Sequence, residues 1–123
     1  MSQNGPAADS MFEAALVALD SPIIIHGPNE ILFANAAACR VLRAPDAEAI
    51  VGADIVSFVH PDGQEAGGER RGLILEHGPT ISDLPVKLRA IDGSTVYARV
   101  TGKRIQWAGD TAILLNAISV SGE

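Results

Sequence analysis

Glu30-Ile-Leu-Phe-Ala-Asn35-Ala-Ala-Ala-Cys-Arg-Val-Leu42 decides how this chain is read. The apolar run at residues 31–34 predicts a strand. It passes straight into Asn35, and a helical pattern follows at once. Asparagine is among the best N-cap residues, because its side-chain oxygen accepts from backbone N–H groups two or three positions on. Here those belong to Ala37 and Ala38. The small alanines let the helix lie close against a sheet, and Val41 and Leu42, a turn later, can face a core. As a cap, Asn35 is expected to be replaced better by aspartate than by alanine, since a carboxylate suits both the capping role and the helix dipole.

Upstream, Ser21-Pro22 precedes Ile23, Ile24 and Ile25, whose β-branched side chains begin a strand. Gly27-Pro28-Asn29 then turns the chain into residues 31–34, giving a first hairpin. Residues 1–9 are small and polar and read as a flexible leader. Residues 10–20 read as a flanking helix, capped by Asp9 or Ser10 and running from about Met11 to Leu19. Glu13 is its only charged member. A helix that is apolar nearly all round should be covered on more than one side.

Downstream, Pro45-Asp46 opens a short helical turn that ends at Gly52. Residues 55–59 form another, stopped by Pro61, and residues 64–76 predict a helix weakened by Gly67-Gly68. The last third reads as strand. Val86, Leu88 and Ala90 alternate with Lys87, Arg89 and Ile91 before the Asp92-Gly93 turn. Val96, Ala98 and Val100 alternate in turn, and after Ala108-Gly109-Asp110 residues 112–120 form an apolar closing strand. Two strands, short helices, then three strands predict an α+β domain with an antiparallel sheet and helices on one face.

Composition narrows the function. At 123 residues and 47 % hydrophobic content, the chain can bury one core of ordinary size. Aromatics are 4 %, so that core is aliphatic, which argues against a large flat cofactor. The net charge of −6, without a basic stripe, argues against nucleic acid. The lone Cys39 excludes an intramolecular disulfide and a cysteine-rich zinc site. No basic start leads into an apolar run, and no apolar stretch approaches the roughly 20 residues a membrane span needs. The expected location is cytoplasmic, with no direct membrane insertion.

Five features in order resemble the PAS family of sensory domains, over about Phe12 to Ser121. They are Pro22-Ile-Ile-Ile as the first strand, Ile31-Leu-Phe-Ala-Asn35-Ala-Ala as the second strand with its capped helix, and Gly52 as a helix-ending glycine. Phe58-Val-His60-Pro61-Asp62 and the turn Asp92-Gly93-Ser94 complete the set. The resemblance implies a five-stranded antiparallel sheet, short helices packed on one face, and a flanking N-terminal helix before a domain at residues 21–121. It implies a signalling module that regulates an attached histidine kinase, cyclase or transcription regulator. Relatives often close the last strand with Asp-Ile-Thr, which couples it to an effector. Ser119-Val120-Ser121 stands there instead, and the effector is expected in cis beyond Glu123, with a stand-alone domain as the alternative.

Strand alternation and family placement nominate Ile25, Phe33, Phe58, Leu73, Leu88, Val100 and Leu115 as the lining of a pocket for a small apolar ligand. The alternative is a ligand-free protein–protein interaction domain with a filled core. A homodimer through the N-terminal helix is expected, with Met11, Phe12, Ala15, Leu16 and Leu19 at its interface. Light-sensing relatives carry a flavin-reactive cysteine in Asn-Cys-Arg-Phe. Cys39-Arg40 comes too early and no phenylalanine follows, so Cys39 reads as a buried, inert thiol. Haem-binding relatives use a histidine from the helix before the third strand, where His77 falls. His77-Gly78-Pro79 is a helix end, though, where a histidine sits exposed near the carbonyl dipole. No cofactor is expected, with haem through His77 as the alternative.

His26 reads as a surface residue beside a turn, and His60 as a local brace for Pro61-Asp62. Neither their spacing nor that of His77 suits a metal. No serine has an elbow or a partnered base, and the glycines at 67, 68 and 72 lack the lysine of a phosphate loop. The chain is expected not to be an enzyme. Trp107 either closes one end of the sheet or anchors a partner.

Overall fold

A computed structural model describes residues 20–122. The flanking helix and the interface nominated at Met11, Phe12, Ala15, Leu16 and Leu19 lie outside the described residues. Five strands make one antiparallel sheet: β1 (Ile23–His26), β2 (Ile31–Ala34), β3 (Ile81–Arg89), β4 (Thr95–Trp107) and β5 (Asp110–Gly122). Their order across the sheet is β2-β1-β5-β4-β3. Two α-helices, α1 (Ala36–Leu42) and α2 (Gln64–His77), fall in sequence between β2 and β3. Between them lie three short 3-10 turns, Ala47–Ala49, Ile55–Phe58 and Pro61–Gly63.

Local chemistry sets the boundaries. Asn35 caps α1, accepting from the Ala38 N–H at 3.0 Å. Arg43 ends the helix in the left-handed region, and the Ala44 N–H closes it onto the Cys39 carbonyl at 2.8 Å. Ala37, Ala38, Cys39 and Leu42 are buried, so the small-residue face packs on the sheet as expected. Asp46 and Asp54 cap the first two 3-10 turns, and His60 caps the third through Nδ1, which accepts from the Asp62 N–H at 3.2 Å. The His60 N–H also donates to the Lys87 carbonyl at 2.9 Å, which ties the helical insert to β3.

β3 begins at Ile81, earlier than its alternation suggests, and it contains Pro85. Proline donates nothing to a ladder and is tolerated on an edge strand. β3 is such an edge. Its register shifts between Ile81 and Leu84, where Asp83 has a φ of 54° and its carboxylate accepts from Arg99 Nε.

Two apolar clusters result. One contains Ile31, Ala34, Ala38, Leu42, Ile50, Ile55 and Phe58 and joins the sheet to α1 and the 3-10 turns. The other contains Ile23, Ile25, Phe33 and Ala112, with Trp107 packed against it. Phe33 and Trp107 stack with ring centroids 5.6 Å apart. Trp107 therefore packs on this second cluster.

Candidate functional site

Side chains at 63, 67, 70, 71 and 74 recur at helical spacing and form the inner face of α2 and its entry turn. They are Gly63, Gly67, Arg70, Arg71 and Ile74. Only Ile74 is buried and apolar. The sheet opposite is also trimmed, with Ala98, Gly102 and Ala117 at inward positions. Ile74 and Gly102 meet so closely that a Cβ at Gly102 would stand 3.3 Å from Ile74 Cδ1. Elsewhere the glycines and alanines leave space. A cavity of about 300 Å³ opens between α2, α1 and the sheet. Its walls are mainly aliphatic, with Ile24, Leu42, Ile113 and Leu115 among them, and among the described residues Phe58 is their only Phe, Tyr or Trp.

Of the nominated pocket residues, Phe58, Leu88, Val100 and Leu115 line this cavity. Ile25 and Phe33 do not. Ile25 is fully buried, but it packs with Phe33 in the second cluster, while its neighbour Ile24 faces the cavity. Strand parity explains the exchange, because a one-residue offset sends a side chain to the opposite face. Leu73 is 51 % exposed, and the next residue, Ile74, turns inward instead.

His26 is the residue that sequence reasoning misplaced. It is 1 % exposed and lines the cavity, not the surface. It shares the inward parity of Ile24, two residues before it, and pairs with Ile113 across β5. Its Nδ1 lies 2.8 Å from the Gly27 carbonyl, so that nitrogen carries the hydrogen and donates. Burial pushes the imidazole pKa below its ordinary value. The Gly27 hydrogen bond opposes that shift, and the Arg71 cation adds to it. The ring is therefore neutral at neutral pH. The signal was present in the alternation Ile24, His26, but the adjoining turn outweighed it.

The sequence model of the PAS fold matches residues 10–119, most of the chain. The chain belongs to the PAS fold family. PAS domains are sensory and signalling modules and are not catalytic by themselves. The structure resembles the PAS domain of nitrogen regulation protein NR(II) from Vibrio parahaemolyticus, with a TM-score of 0.69 and 21 % identity over 87 % of this chain and 95 % of that one. It also resembles the PAS domain of an HTR-like protein from Haloarcula marismortui, with a TM-score of 0.71 and 18 % identity over 95 % and 98 % of the two chains. A PAS domain from a two-component sensor histidine kinase aligns with a TM-score of 0.68 and 11 % identity, over 93 % and 95 %. These likenesses concern the fold. A search among curated proteins found no match.

Within this PAS fold, Asn35 does more than cap. Its Oδ1 also accepts from the Ile23 N–H at 3.0 Å, and its Nδ2 donates to the Ser21 carbonyl at 2.8 Å. At 2 % exposure, this one side chain joins the entrance of β1 to the entrance of α1. The donor contact changes the expectation that aspartate would substitute well. Cys39 is buried, and burial raises its thiol pKa. His77 ends α2 with its ring largely exposed, 3.8 Å from the Glu76 carboxylate, and does not line the cavity. Among the described residues, no three His, Cys, Asp or Glu side chains gather as metal ligands. No helix among them is long and apolar enough to cross a membrane.

Proposed function

We propose that this PAS domain is a sensor that takes a small, mainly apolar ligand into the cavity between α2 and the sheet and relays its occupancy to an attached effector. The cavity itself carries this reading: about 300 Å³ of mainly aliphatic space lies at the lower end of ligand-pocket sizes. The ligand lies against Phe58, Leu88, Val100 and Leu115. It is colourless rather than haem or flavin, because a single phenylalanine offers little stacking surface and His77 lies off the wall. The effector is a histidine kinase, a cyclase or a transcription regulator, reached through a homodimer built on the N-terminal segment. Apolar residues dominate positions 11–19, and burying each large one contributes about 1.5–3 kcal/mol to association.

Native mass spectrometry on freshly purified protein, followed by solvent extraction, tests the ligand. A co-purifying small molecule supports the reading, as does displacement of an apolar dye. A Soret band or flavin absorption overturns the colourless ligand. Light scattering of the whole chain, of a chain lacking residues 1–19 and of Leu16→Glu tests the dimer. A monomer at tens of micromolar, or a dimer that survives the deletion, refutes it.

A second reading is a ligand-free interaction domain. It is favoured by Tyr97, Ile118 and Val120, exposed apolar side chains on the start of β4 and the end of β5, where those strands pair. Dye exclusion with no extractable molecule would favour it.

A further inference from the structure

Among the described residues, five charged or titratable side chains line the cavity: His26 from β1, Asp62 from the turn before α2, Arg70 and Arg71 from α2, and Lys87 from β3. β4 and β5 contribute none, since their lining residues are Ala98, Val100, Gly102, Ile113, Leu115 and Ala117. Asp62 and Lys87 neutralise each other, with Lys87 Nζ donating to the carboxylate at 3.2 Å. The two arginines then stand without an acid. Among the described residues, neither guanidinium makes an ion pair or a hydrogen bond.

Arg71 folds back along α2, and Cβ atoms at Gly67 and Gly68 would stand 3.5 and 3.6 Å from its Nη1 and Nη2. Gly67 is itself part of the cavity wall. His26, buried in that wall, has spent Nδ1 on Gly27, which leaves Nε2 as its atom for a guest. An apolar chamber therefore holds an unneutralised guanidinium and a buried imidazole with one unused nitrogen. Such a lining complements one negative charge on an otherwise apolar body. A planar carboxylate suits the fork of a guanidinium, which can donate two parallel hydrogen bonds to it.

We infer that the cavity takes a small amphipathic carboxylate, with its apolar body against Ile24, Leu42, Phe58 and Ile113 and its carboxylate between Arg71 and His26. The inference rests on the ligand-binding reading above and specifies the head group. The carboxylate, placed against Nε2, favours the charged imidazole directly, so His26 takes up a proton from solvent and donates Nε2–H to it. Without the guest, the same imidazole is neutral.

Calorimetric titration of the full chain with n-octanoate, n-octanamide and n-octanol tests this. Octanoate should bind about tenfold or more tighter than the amide or the alcohol, the range expected for charge-assisted contacts. Arg71→Gln should remove most of that preference, and Arg71→Lys should retain much of it. Arg40→Gln, on the exposed face of α1, should change nothing. Octanoate affinity should rise as pH falls from about 7.5 to about 6, and His26→Gln should flatten that rise. If all three compounds bind alike, or Arg71→Gln binds octanoate as wild type does, the head-group inference is wrong and the apolar cavity still stands. If none of the three binds, and an apolar dye does not bind either, the cavity reading fails and takes the inference with it.

Discussion

Asn35→Asp separates capping from tethering. In the folded chain, Asn35 Oδ1 serves two N–H groups, those of Ala38 and Ile23, and Nδ2 serves the Ser21 carbonyl. Alanine removes these contacts. Loss of the cap alone costs about 0.5–2 kcal/mol. A buried N–H or carbonyl left without a partner costs about 1–3 kcal/mol more. The sum for Asn35→Ala is therefore about 3 kcal/mol. Aspartate keeps both accepting contacts but turns the third into a carboxylate oxygen facing a carbonyl oxygen at donor distance. At neutral pH Asn35→Asp should thus lie within about 1 kcal/mol of alanine, not near wild type.

Acid then provides a signature. A protonated carboxyl can donate to Ser21, so the folded state raises the pKa of the introduced acid above its unfolded value near about 3.9. The folded variant binds the extra proton, and its deficit relative to wild type shrinks as pH falls from about 7 to about 5. Urea denaturation of the three proteins at several pH values reads this directly. An Asn35→Asp chain within about 0.5 kcal/mol of wild type at neutral pH, or a deficit that grows on acidification, refutes the donor role.

Three further outcomes are expected. The His26 pKa is lower in the folded state than its ordinary value of 6.5. The unfolded chain therefore binds the proton first, and ligand-free stability should drop as pH falls below about 6.5. His26→Gln should remove that component in denaturation melts, and an unchanged slope refutes it. Gly78→Ala should cost more than Gly93→Ala in chemical denaturation. Both positions have left-handed φ, 74° and 87°, worth about 1–2 kcal/mol against alanine, but only at Gly78 would a Cβ meet Arg104, 2.6 Å from Nη2. Equal costs would show that the arginine moves aside freely. Ala98→Leu should fill the cavity and abolish dye and octanoate binding, with a stability change of about 1–3 kcal/mol at most. Retained binding would place the guest elsewhere.

The strand–Asn35–helix junction, the turns at Asp46 and His60 and the Asp92-Gly93 hairpin were legible because each depends on neighbours in sequence. The choice of wall residues was less so. Membership of a face requires knowing strand parity, and the register shift between Ile25 and His26 makes parity at the first hairpin unreadable from alternation alone. Alternation alone therefore puts Ile25 and Phe33 on the wrong face and His26 at the surface. On α2, glycines and arginines interrupt any apolar stripe, so the sequence does not tell Ile74 from Leu73 as the inward residue. That interruption is what makes room for the cavity. The start of β3 was hidden by Pro85, which only an edge position permits.

The central position of β1 has a consequence for how this protein comes off the ribosome. β1 is among the first elements of the described chain, yet one of its two neighbours, β5, is the last. Its other partner, β2, is four residues long, as β1 is, and so short a hairpin does not hold by itself in water. Throughout synthesis the isoleucines at 23, 24 and 25 wait for Asn116, Leu115 and Leu114. The sheet can therefore close only after β5 has been made, in one late, cooperative step, with a high proportion of non-local pairing. Stalled nascent chains released before about residue 112 should remain protease-sensitive along the stretch from β1 onward, and the apolar, β-branched residues 23–25 would then be open to chaperones until β5 has emerged.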